Sequence, residues 1–161
     1  MALMLALALP GVAVAQQAAP TIPSYLRADL YPEWLDASGK VKKWPENNGC
    51  AAAPVSETLP EGKLIDRFGS ENGTFFSPKG ESYAGRAVPY VCSQMVYTVY
   101  KVTKPLTVSA CKAAPWFGEP GGATQYQTTD SALKLREAGI IEVAANDNTA
   151  NGGAASPCGR P

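Results

Sequence analysis

The sequence predicts an α+β fold: a strand-rich, compact single domain on a small twisted sheet, antiparallel or mixed, with one clear C-terminal helix and a loop-rich, disulfide-stapled periphery. Three observations predict it. Short runs rich in β-branched and aromatic residues recur from Lys63 onward, and one segment alone carries both a helix start and a helix stop signal. The third is the spread of 15 Gly, 14 Pro and four Cys through 161 residues. That Gly and Pro content lies below the level of low-complexity disorder, so the loops belong to a folded domain.

Residues 1–15 read as a signal peptide. MALMLALALPGVAV is apolar, broken at Pro10-Gly11, and Ala13-Val14-Ala15 before Gln16 has the small residues of a cleavage site. The run falls short of the roughly 18–20 residues that span a bilayer, so no membrane association is expected after cleavage. Residues 16–58 read as an N-terminal wrap rather than a second domain. Tyr25, Leu26, Leu30, Tyr31, Trp34 and Leu35 suggest one short amphipathic turn or helix, and Asn47-Asn48-Gly49 marks a turn.

The core is expected over residues 59–143. Strands are read at 63–68 and 74–76, with Gly69-Ser70-Glu71-Asn72-Gly73 as an exposed bend between them. Residues 95–102 (MVYTVYKV) and 106–110 read as a hairpin turning at Thr103-Lys104-Pro105. Pro115–Gly122 (PWFGEPGG) is irregular. A strand at 124–127 leads into a helix at about 131–138, with Thr129 or Asp130 as N-cap candidates and Gly139 just beyond its end. Residues 140–143 return as a strand, and 144–161 form a small, polar tail.

Cys50, Cys92, Cys111 and Cys158 contain no C-x-x-C pair, which removes the redox-motif and zinc-ribbon readings. An even count behind a signal peptide reads as two disulfides. Of the three pairings, the reading favours Cys92–Cys111, which would bracket the expected hairpin and leave Cys50 to tie Cys158.

Fourteen Lys and Arg balance fourteen Asp and Glu, and no basic run exceeds Lys42-Lys43. A chain without a basic surface releases few counterions from a nucleic acid, so DNA and RNA are excluded as partners. The absence of histidine excludes Ser-His-Asp and Cys-His nucleophiles and every imidazole acid, base or ligand. No G-x-G-x-x-G, Walker loop or G-x-S-x-G occurs either. Asp147-x-Thr149-x-Asn151-Gly152 faintly matches a calcium loop, but its twelfth position is Cys158 instead of the bidentate Glu. No metal or cofactor is therefore expected, calcium being the one ion the pattern leaves open.

Two segments carry chemistry. In Asp66-Arg67-Phe68-Gly69-Ser70-Glu71-Asn72-Gly73-Thr74-Phe75, an arginine offers a fork to a diphosphate, glycines let backbone N–H groups approach it, and phenylalanines offer faces to a flat ring. The bland alternative is a hairpin with an exposed Arg. The second segment, Ala114 to Tyr126, joins a rigid aromatic turn to Gln125 at the start of a strand. Asn72-Gly73-Thr74 is also a glycosylation sequon, a pattern short enough to occur by chance.

Their order carries a resemblance. Leu59-Pro60-Glu61-Gly62, Asp66-Arg67-Phe68-Gly69, Gly73-Thr74-Phe75, Arg86, Lys104-Pro105-Leu106, Ala114-Pro115-Trp116-Phe117-Gly118 and Gln125-Tyr126 follow one another as in the tuberculosis necrotizing toxin family, which the chain resembles over about 59–143. The resemblance implies hydrolysis of NAD or NADP to nicotinamide and ADP-ribose or its phosphate by a secreted or periplasmic protein. It implies Arg67 and Gln125 as the catalytic pair, and Phe68, Gly69, Thr74, Phe75, Arg86 and Trp116 as substrate-binding residues. Arg67 and Arg86 would clamp the diphosphate, Phe68, Phe75 and Trp116 would confine nicotinamide and ribose, and Glu71 or Asp66 would steady a cationic transition state. Thr98 stands where some relatives carry histidine, so no imidazole-dependent step is expected. An inhibitor (immunity) protein and a homodimer are the partners the resemblance leaves room for. An ADP-ribosyltransferase, an inactive NAD- or ADP-ribose-binding module and a structural envelope protein are the competing readings.

Overall fold

The computed structural model describes residues 19–147 and Cys158. The signal-peptide segment and most of the polar tail, with all of the calcium-like pattern except Asp147, lie outside the described residues.

Seven strands form one antiparallel sheet in the order β1-β5-β6-β3-β2-β4-β7. They are β1 Val55–Leu59, β2 Leu64–Phe68, β3 Phe75–Pro78, β4 Tyr97–Val102, β5 Leu106–Lys112, β6 Thr124–Gln127 and β7 Ile141–Asp147. Helix α1, Ala132–Glu137, lies between β6 and β7 in the chain. The expected α+β class holds.

The β4–β5 hairpin does not form. The two strands adjoin through Thr103-Lys104-Pro105, yet β4 pairs with β2 and β7, and β5 pairs with β1 and β6. The reason is burial on both sides: Val102 and Leu106, flanking the turn, enter the same core as Leu59 from one edge of the sheet and Ile141 from the other. The sheet curls around that core, and the turn carries the chain from one half to the other. Ile65, Phe76, Tyr100, Val108, Ala110, Tyr126, Ala132 and Leu135 complete this core. Each large apolar side chain there contributes about 1.5–3 kcal/mol on removal from water.

Two elements cross the bounds expected of the core, 59–143. β1 lies inside the segment read as wrap, because Val55 to Thr58 are exposed and polar-rich and only Leu59 is buried, so no alternation announces the strand. β7 continues to Asp147, its backbone paired with Tyr97, into the segment read as tail. At α1 the cap is Ser131, whose Oγ accepts from Lys134 N at 3.4 Å, rather than Thr129 or Asp130. Gly139 follows with φ +62°, the left-handed exit expected of it.

The disulfides are Cys50–Cys111 and Cys92–Cys158, which overturns the expected Cys92–Cys111 and Cys50–Cys158 pairs. Without a β4–β5 hairpin, nothing brings Cys92 to Cys111. Cys50 instead forms a bridge with Ala113 beside the end of β5, which brings it to Cys111. Residues 22–41 form a second core: Leu26, Leu30 and Leu35 pack with Phe117, and Trp34 packs on Trp116. The wrap is thereby fastened to the aromatic turn of the PWFG loop.

Candidate functional site

At the end of β2 the chain presents Asp66, Arg67 and Phe68 in succession, and strand alternation divides them. Arg67 shares its face with core residue Ile65, while Asp66 and Phe68 take the other. A cleft of about 720 Å³ opens around this strand end, within the range of small-molecule sites. Arg67, Phe68, Gly69, Phe75, Arg86 and Gln125 all line it. Among the described residues no aspartate or glutamate does, so two guanidinium groups meet the cleft with no described carboxylate on its walls. Such a field favours an anion.

Arg67 is only 6% exposed, which removes the reading of a surface arginine. Its Nη1 donates to the Phe75 carbonyl at 3.0 Å and its guanidinium carbon lies 5.7 Å from the Phe76 ring centroid. Nε is buried without a hydrogen-bond partner, and no ion pair reaches this side chain among the described residues. Burial lowers its pKa, as expected of a cation taken from water, but a guanidinium remains charged. Glu71 acts on it only through space, without an ion pair, so the buried charge is costly to keep and a ligand anion is one way to offset it.

Arg86 is held differently. Its Nη2 lies 2.6 Å from Asp66 Oδ1 and donates to Glu81 O at 3.1 Å, and the guanidinium sits 5.0 Å from the Phe68 centroid. Asp66 is fully buried and also accepts from Tyr97 OH at 2.9 Å and Gly80 N at 3.0 Å. Burial pushes its pKa up, against the opposing pull of Arg86. Glu71 is engaged by Arg136, with Nε and Nη2 each 3.0 Å from a carboxylate oxygen. Both acids considered for steadying a cation are thus committed to arginines and absent from the cleft wall.

Gln125 stands on β6 opposite Cys111 of β5. Its Nε2 donates to the Asn48 carbonyl at 2.9 Å. The Asn47-Asn48-Gly49 turn takes positive φ at all three residues, +50°, +53° and +87°, a conformation asparagine and glycine tolerate best.

Two other expected binding residues lie off the cleft wall. The Trp116 ring packs on Trp34 at 5.2 Å between centroids, and its Nε1 donates to Lys43 O at 3.3 Å. The next residue, Phe117, enters the cleft in its place, turned there by φ +53°. Thr74 contributes its carbonyl, which accepts from Thr128 N and Oγ1 at 3.0 and 3.1 Å. Thr98, paired in register with Arg67, is buried.

Residue-level reasoning missed Tyr25, Trp44, Asn48, Tyr90, Met95 and Phe117 as lining of the cleft. Tyr25, Asn48, Met95 and Phe117 are legible in the sequence as parts of an amphipathic segment, a turn, a strand and an aromatic loop, and none of those patterns says what the residue lines.

Comparison with known proteins bears on this arrangement. The family model described as tuberculosis necrotizing toxin matches residues 58–143, more than half of the chain. The chain belongs to the tuberculosis necrotizing toxin family. The family segment holds Arg67, Arg86 and Gln125, whereas Tyr25, Trp44 and Asn48 lie outside it. The conidial surface nicotinamide adenine dinucleotide glycohydrolase of Aspergillus fumigatus is 41% identical over 111 residues, covering 61% of this chain and 47% of that protein. The chain therefore spans about half the length of this curated relative. A solved structure of the tuberculosis necrotizing toxin complexed with its immunity factor superposes with a TM-score of 0.55 over 67% of this chain and 65% of that one, at 19% identity. That likeness places the curled sheet in the toxin's fold.

Proposed function

We propose that the protein is an exported NAD(P) glycohydrolase, which breaks the bond between nicotinamide and ribose to release nicotinamide and ADP-ribose or its phosphate. Arg67 carries the reading: a buried guanidinium in the wall of a cleft that no described carboxylate lines, in no ion pair among the described residues, in a member of this family. The Aspergillus relative, named as an NAD glycohydrolase, supports the substrate.

The chemistry suits these residues. Nicotinamide leaves a pyridinium as a neutral molecule, so unlike an ordinary glycoside it needs no proton from a general acid. The protein has to hold the substrate and stabilise charge as the bond at C1′ opens. Arg67 holds the diphosphate. Arg86, ion-paired with Asp66, contributes less charge and more alignment through its contact with the Phe68 ring. Phe68 and Phe75 confine the nicotinamide end, and Gln125 orients a ribose hydroxyl or the attacking water, whose proton passes to solvent.

Two disulfides and a relative described as a surface protein support a secreted or periplasmic location. There the enzyme acts as a toxin or degrades extracellular NAD. The immunity factor bound to the structural relative makes an inhibitor protein the first partner to seek.

The test is incubation of the oxidised protein with NAD and with NADP, followed by chromatography, beside Arg67→Ala and Gln125→Ala. Equimolar nicotinamide and ADP-ribose, lost in both variants, is the expected result. Label retained on a protein would indicate a transferase, and bound but intact NAD a binding module.

A further inference from the structure

We propose that the Cys50–Cys111 disulfide, with the Asn47-Asn48-Gly49 turn it anchors, is a positioning device for the Gln125 carboxamide. The proposal rests on the role assigned to Gln125 in the reading above.

The β5–β6 register sets Cys111 directly opposite Gln125, and residues opposed across an antiparallel pair project on the same side as close neighbours. Cys111 is bonded to Cys50, the residue that closes the turn. Both sulfurs lie 3.8 Å from Gln125 Nε2. The disulfide thus ties the turn over Gln125 from the side.

The turn is held at backbone level too. Ala114 N donates to Gly49 O at 2.7 Å, and Ala51 N to Lys112 O at 2.8 Å. Asn48 Nδ2 donates to Gln127 Oε1 at 3.2 Å, pinning the turn to β6 two residues beyond Gln125.

This frame decides which way the carboxamide faces. A backbone carbonyl can only accept, so the group 2.9 Å from Asn48 O is the NH₂ end, and Oε1 is left for a ligand. A substrate hydroxyl or water therefore meets an acceptor rather than a donor. Gly49 allows this orientation, since even a Cβ there would lie 3.5 Å from Oε1 and a longer side chain would reach it. Asn48 and Gly49 lie outside the family segment, so the frame is supplied by the wrap to a residue the family domain carries.

The molecule holds its own control. Cys92–Cys158 spans 66 residues and Cys50–Cys111 spans 61, so the two constrain the unfolded chain almost equally. Neither Cys92 nor Cys158 lines the cleft.

The experiment compares NAD turnover by the oxidised full chain with Cys50→Ala/Cys111→Ala and with Cys92→Ala/Cys158→Ala, below the melting temperature of each. Loss of positioning lowers kcat at least tenfold with KM within threefold in the first variant, while the second keeps kcat within twofold. In a double-mutant cycle, adding Gln125→Ala to the first variant lowers kcat by less than the same substitution does in the intact chain. If the first variant does not fold, Asn48→Val decides: a β-branched residue resists the left-handed backbone and moves the accepting carbonyl, giving the same kcat loss with both disulfides intact. Equal kcat losses in the two disulfide variants, multiplicative effects with Gln125→Ala, or an unchanged kcat in the deciding variant would each overturn the proposal. Full turnover by Gln125→Ala alone would locate the failure in the active-site reading.

Discussion

The guanidinium of Arg67 occupies the space that a side chain at Gly73 would fill: a Cβ there would lie 2.1 Å from Nη2 and 2.5 Å from Nη1. Gly73 does not have a left-handed backbone, so its value lies in the missing side chain. The β2–β3 loop is a cradle for one cation. The far end of an arginine can swing aside at little cost, so Gly73→Ala should fold with a small change in Tm yet lose about 100-fold or more in kcat/KM as the fork leaves its place. Steady-state kinetics beside a thermal melt checks this; a folded variant with normal kcat/KM would remove Arg67 from the chemistry.

Asp66 and Arg86 form a buried pair, 0% and 10% exposed at the side chain. Asp66→Asn sets an amide NH₂ against the Arg86, Gly80 and Tyr97 donors that converge on the carboxyl and should cost roughly 2 kcal/mol at neutral pH in urea unfolding. The pH dependence has a definite sign. Asp66 holds its proton more tightly folded than unfolded, so its proton-linked stability is complete below the ordinary value of 3.8 and is lost as pH rises through the elevated folded value. The advantage of the wild type over Asp66→Asn should therefore widen as pH falls through that window. A gap that stays flat or narrows contradicts the shift.

Gly121 and Gly118 both have positive φ, +68° and +70°, but their surroundings differ. A Cβ at Gly121 would lie 2.6 Å from Ala113 O and 2.7 Å from the backbone of Ala114 and Pro115, none of which can swing away, whereas Gly118 faces open space. Gly118→Ala should cost about 1 kcal/mol for the left-handed backbone alone. Gly121→Ala should cost about 2 kcal/mol more and displace Phe117 from the cleft. Equal unfolding midpoints for the two variants would argue against the close approach of Gly121 to the Ala113–Pro115 backbone.

Peptide mapping of the unreduced protein should recover Cys50 linked to Cys111 and Cys92 linked to Cys158. Each closes a loop of more than sixty residues, so its loss should cost about 4 kcal/mol by the chain-entropy estimate. Recovery of a Cys92–Cys111 peptide would require β4 and β5 to pair, and with it a different sheet order.

What the sequence determined by itself was local or ordered along the chain. The β-branched runs at β2, β4 and β5, the capped segment ending at Gly139, and the order of Arg67, Arg86 and Gln125 were all legible there, because a strand, a cap and a motif are each written in contiguous residues. Which strand pairs with which was not. Three residues separate β4 from β5, and the pairing follows instead from Val102 and Leu106 entering one core with Leu59 and Ile141, a balance of burial that no local pattern records. The disulfide pairing followed the strands and was misread with them. Trp116 and Phe117 are adjacent and equally aromatic, so only the left-handed turn at Phe117 decides which ring meets the cleft. The tertiary structure alone joins Asn48 to Gln125 and leaves Arg67 buried in no ion pair among the described residues, since contacts between distant residues form where the curled sheet and the wrap meet.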